Sequence, residues 1–124
     1  MNGDAHLQKS KALRWIDLAS RRSQVKVSVI SIWELGLLAS KNRVSLSCRP
    51  LEWVHKALSV PGISLAPLTE DIAVESSFLP GDFHGDPADR ILVATTRYLG
   101  GTLITSDRKI LDYAKQQTVH ALAP

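Results

Sequence analysis

Apolar positions along the chain switch repeatedly between a helical and a strand period. Residues 5–22 repeat every three to four positions, with Leu7, Ala12, Leu13, Trp15, Ile16 and Ala19 on one face, and predict a helix. Residues 24–30, "QVKVSVI", alternate and are rich in valine, which predicts a strand. "SIWELGLLASK" returns to the helical period, starting near Ser31. After the connection "NRVSLSCRP", Pro50 sits where the first turn of a helix tolerates proline, and "PLEWVHKALSV" comes next. Pro61-Gly62 stops that helix, and "ISLAPL" reads as a short strand. "TEDIAVESSFL" predicts a helix with Thr69 as N-cap. The loop "PGDFHG" leads into the helix "DPADRILVATTRYLG", with Gly100 and Gly101 as its stop. A strand "GTLITS", a helix "DRKILDYAKQQ" and a strand "TVHAL" complete the chain. Trp15, Trp33 and Trp53 each fall within a helical apolar pattern and are expected in the core.

Strands alternating with helices predict an α/β fold with a mainly parallel sheet covered on both faces. In such folds helix starts and strand ends collect along one sheet edge, where ligand sites lie. A length of 124 residues, 44% of them hydrophobic, suits a single domain over residues 1–124. The lone cysteine, Cys48, rules out an internal disulfide and fits a reducing cytoplasm. The most apolar stretch, residues 27–39, contains Glu34 and is too short to span a membrane. The N-terminus lacks the apolar block of a secretory signal. A net charge of +3 favours a polyanionic partner only weakly, because the basic residues are scattered.

Three acids fall at the expected sheet edge: Glu34, Asp89 and Asp107. Each has a simple structural account. "SIWE" fits a capping box with Ser31 as N-cap, and "DPAD" has the same shape, with Asp86 as cap and Pro87 at the first helical position. Asp107 suits the cap of the last helix. Taken together, the acids suit a hard divalent cation, because clustered carboxylates repel one another until a charge such as Mg²⁺ or Mn²⁺ offsets them. Such a cation can activate water and stabilise charge on a phosphoryl group. Ser31, Thr105 and Ser106 are accessory candidates for orienting an acid, and they equally suit backbone capping. His84 reads as a solvated loop residue, and His6, His55 and His120 have no metal-ligand spacing. A phosphate loop, a dinucleotide fingerprint and a nucleophile elbow are all absent.

The ordered blocks "VSVISIWELGLL", "HGDPADRILVATT" and "TLITSD" resemble the PIN domain family, most closely the VapC-type ribonuclease toxins of bacterial toxin–antitoxin pairs. Ala88 departs from the aromatic residue common between the two aspartates. The resemblance implies an α/β/α sandwich and RNA cleavage supported by Mg²⁺ or Mn²⁺, with Glu34, Asp89 and Asp107 as catalytic and metal-binding acids. Asp86 matches a frequent extra acid. It also implies a cognate antitoxin protein and self-association into a dimer. Family members open on a strand resembling "LLDTH", whose aspartate completes the acidic cluster, and the first residues here resemble the segment downstream of that strand. The expectation is therefore a domain whose N-terminal strand is missing, through a late start or a truncation. A non-catalytic remnant that binds an antitoxin-like partner is the alternative reading.

Overall fold

A computed structural model describes residues 25–124. The expected helix over residues 5–22, with Trp15, lies outside the described residues. The described chain falls into two compact units, residues 25–67 and Leu68–Pro124.

The first unit is built from β1 (Val25–Ser28), α1 (Val29–Ser40), α2 (Pro50–Leu58) and β2 (Ile63–Ala66). β1 and β2 pair in parallel from Val25 opposite Ile63 to Ser28 opposite Ala66. Lys26 Nζ donates to Ser64 Oγ across the pair at 2.8 Å. The strand ends earlier and the helix starts earlier than the sequence pattern suggests. Ser28, not Ser31, is the N-cap: its φ of −69° and ψ of 144° are extended, and its Oγ accepts the Ile30 N–H at 3.1 Å. The β-branched run Val29-Ile30 looks like strand by propensity, but the cap decides where the helix begins. Ser31 is therefore inside α1, and Glu34 is its sixth residue rather than part of its first turn. Asn42 closes α1 in the left-handed region, with its N–H on Ala39 O and that of Arg43 on Leu38 O. α2 starts with Pro50 in its first turn, as expected. Leu35, Val54 and Ala66 are buried here. Trp33 is 54% exposed, against the expectation of a core residue, and Trp53 is half-buried. Two positions apart on a helix, Trp33 and Leu35 point to nearly opposite faces, and Leu35 takes the buried one.

The second unit holds α3 (Glu70–Glu75), α4 (Pro87–Leu99), β3 (Thr102–Ile104), α5 (Arg108–Ala114) and β4 (His120–Leu122). Thr69 caps α3 through its hydroxyl, as predicted, but the helix stops at Glu75, and two turns through Ser77 and Phe78 replace its expected end. β3 and β4 pair in parallel, from Thr102 opposite His120 to Ile104 opposite Leu122. Gly100, at φ 65°, ends α4 in the left-handed region, where a side chain would add strain. The Gly101 N–H then reaches back to Thr96 O at 3.1 Å. Phe83, Val93, Ile110, Tyr113 and Val119 form one buried cluster, with Leu79, Leu103, Ala114 and Ala121 packed against it.

The parallel pairing expected of the sheet is present in both pairs, and the described strands hydrogen-bond as two two-stranded sheets. Among the described residues no helix is long and apolar enough to cross a membrane.

Candidate active site

The acids of the second unit are set by the two helix starts. At α4, Asp86 takes an extended conformation with φ −70° and ψ 173°, and its Oδ1 accepts the Asp89 N–H at 2.9 Å. Pro87 fixes the φ of the first helical residue and has no N–H to leave unsatisfied. Asp89 lies two residues further on, half-buried, in the turn where the unpaired N–H groups favour negative charge. At α5, Asp107 is the N-cap, and its Oδ1 accepts the Ile110 N–H at 3.0 Å. Its own N–H donates to Thr105 Oγ1 at 3.0 Å, while the Thr105 N–H is held by Leu122 O at 3.0 Å. The turn from β3 into α5 is thus tied to β4 and closed on itself. Ser106 is exposed beside it.

Chain direction turns these two starts toward one end of the unit. α4 packs on β3, and the tight glycine turn between them reverses the chain. From Asp89 to Gly100 the helix descends about 16 Å at about 1.5 Å per residue. From Thr102 to Ile104 the strand β3 runs back the other way, and the turn Thr105–Asp107 follows it. The acid one turn into α4 and the acid that caps α5 therefore belong to the same end of this unit.

Each capping aspartate commits one carboxylate oxygen to a backbone N–H and keeps a second outside the cap. A cap and a monodentate metal ligand are compatible in one carboxylate, and the all-oxygen donor set fits Mg²⁺ or Mn²⁺. Among the described residues no group of three or more His, Cys, Asp and Glu side chains is already gathered around one cation position. Glu34 and Ser31 are both exposed on α1 of the first unit. Hydrogen bonds join Asp86 to Asp89 and Thr105 to Asp107. His84 is exposed and pairs with the equally exposed Asp82 at 2.9 Å, in line with a solvated loop histidine.

Arg90 carries no weight in the sequence pattern, yet its side chain bridges two carbonyls of the loop that precedes α4. Its Nε donates to Ser76 O and one terminal nitrogen to Phe83 O, both at 2.8 Å. Its guanidinium carbon stands 5.9 Å from the centre of the Phe83 ring. The only signal in the sequence is its place next to Asp89.

A fold of this kind, with acids at helix starts beside parallel strands, agrees with the PIN domain, whose family model matches residues 4–116. The chain belongs to the PIN domain family. Within it, the chain is of the VapC type: it is 31% identical over 96 residues to Ribonuclease VapC22 of Mycobacterium tuberculosis (strain ATCC 25618 / H37Rv). That match covers 77% of this chain and 72% of the relative.

Proposed function

We propose that the protein is a divalent-metal-dependent endoribonuclease of the toxin type, cutting RNA phosphodiester bonds. The observation that carries this reading is the pair of aspartate-bearing helix starts at the same end of the second unit, in a chain similar to a ribonuclease. Glu34, Asp89 and Asp107 would hold Mg²⁺ or Mn²⁺ through carboxylate oxygens, and Asp86 would stiffen the turn that carries Asp89. The cation would supply charge neutralisation at the scissile phosphate and a lowered pKa for the attacking water. The chain's own part is geometric and electrostatic. The capped turns fix where the carboxylates stand, Thr105 fixes the backbone that precedes Asp107, and the starts of α4 and α5 favour the negative charge of the carboxylates. Ser31 and Ser106 are exposed hydroxyls that could bind RNA phosphates or waters. The expected setting is a cytoplasm, with an antitoxin protein as the partner that restrains the activity and a homodimer as the working form.

The test is cleavage of a defined single-stranded RNA with Mg²⁺ or Mn²⁺ present. Chelation by EDTA should abolish cleavage. Asp89→Asn should lower it by more than about a hundredfold, since even outer-shell changes at metal sites cost about 10- to 100-fold. Undiminished cleavage by Asp89→Asn would remove Asp89 from the site. If the intact protein does not cleave but binds its antitoxin, the non-catalytic reading replaces this one.

A further inference from the structure

We infer that Arg90 is a positioning residue that holds the start of α4, and with it the Asp89 carboxylate, against the loop that precedes the helix. This inference rests on the proposed role of Asp89.

The loop from Ser76 to Asp86 has no regular structure of its own apart from turns, and its carbonyls must find partners. Arg90 supplies two of them, at Ser76 and at Phe83, seven residues apart in the chain. A guanidinium can do this because its donors form a rigid fork; a lysine ammonium is a single point and cannot span both acceptors in the same way. Tyr113 of α5 adds a third anchor, donating its hydroxyl to Pro80 O. The Phe83 ring joins the two anchors, standing beneath Arg90 and stacking on Tyr113 with ring centres 4.6 Å apart. The loop is therefore clamped to α4 by Arg90 and to α5 by Tyr113. These are the two helices whose starts carry Asp89 and Asp107.

Gly85 shows how close the fit is. A methyl group there would lie 2.3 and 2.6 Å from two atoms of the Phe83 ring and 3.0 Å from Asp89 Cβ. Loop, ring and Asp89 Cβ are thus packed with no room for a side chain at position 85. Because Arg90 directly succeeds Asp89, any rotation of the first turn of α4 that would swing the Asp89 carboxylate must break the Arg90 fork.

The experiment compares the full-length protein with Arg90→Lys and Asp89→Asn. It measures Mn²⁺ affinity by electron paramagnetic resonance and hydrogen exchange of the Asp89 amide by NMR, with circular dichroism to confirm folding. Arg90→Lys should weaken Mn²⁺ binding about tenfold, the range expected for a residue that orients a ligand rather than supplies one. It should also speed exchange of the Asp89 amide, which is protected by Asp86. Wild-type Mn²⁺ affinity and wild-type exchange in Arg90→Lys would overturn the inference. Should Arg90→Lys fail to fold, Phe83→Leu carries the test, because it keeps an apolar side chain but removes the ring beneath the guanidinium. The same two outcomes then decide. If Asp89→Asn binds Mn²⁺ as the wild type does, the assignment of Asp89 as a ligand fails, and the clamp is judged on the amide exchange alone.

Discussion

The two units differ in charge, in the core that their described residues form and in where along a helix their candidate acids sit. Residues 25–67 carry five lysines and arginines against two acids, a net +3. Residues 68–124 carry five against eight, a net −3. The acidic unit also holds the contiguous buried cluster around Ile110 and Tyr113. Large apolar groups remain exposed in both, Trp33 and Leu51 in the basic unit and Val74 and Phe78 in the acidic one. Asp86 and Asp107 each cap a helix through a bond to a backbone N–H, whereas Glu34 lies in the interior of a helix whose start is set by Ser28. The caps of the acidic unit set the backbone at the starts of both helices. The basic unit has the charge to attract a polyanion such as RNA.

The contrast in cores has the largest expected effect on stability. Ile110→Ala should cost about 2–5 kcal/mol, the range for truncating a fully buried aliphatic side chain. Leu51→Ser, at a position 66% exposed in the basic unit, should change stability by no more than about 0.5 kcal/mol. Urea unfolding of the two variants measures both, and similar losses would erase the distinction.

A smaller effect tests where α1 begins. Ser28→Ala should cost about 0.5–2 kcal/mol through loss of the bond to the Ile30 N–H, while Ser31→Ala should be close to neutral. Thermal melts of the two variants check this, and the reverse order would restore Ser31 as the cap.

The helix start that carries the candidate acid Asp89 is legible in the sequence because several local signals coincide. In "DPAD" a capping side chain, a proline at the first helical position and an acid in the first turn all favour the same helix start, and Gly100 marks its end. The start of α1 is ambiguous in the sequence because Val29 and Ile30 satisfy strand propensity and helix periodicity equally. The place of Trp33 is missed for another reason: α1 is apolar nearly all round, so its pattern does not say which face is buried. Arg90 is silent for a different reason. Its acceptors are 7 and 14 residues away and are backbone carbonyls, which no side-chain pattern can announce. The parallel pairing of strands can be read from the alternation of elements, while the division of the described strands into two pairs depends on contacts distant in sequence.

The central claim is that an aspartate such as Asp107 serves both as helix cap and as metal ligand, and one pair of substitutions separates the roles. Asparagine caps a helix about as well as aspartate but is a poor ligand for Mg²⁺ or Mn²⁺; alanine does neither. Mn²⁺ affinity and unfolding free energy are measured together for Asp107→Asn and Asp107→Ala. Asp107→Asn is expected to keep stability to within about 0.5 kcal/mol and to lose Mn²⁺ affinity, while Asp107→Ala loses that affinity and about 0.5–2 kcal/mol as well. Unchanged Mn²⁺ affinity in Asp107→Asn would contradict the claim and leave Asp107 a helix cap alone.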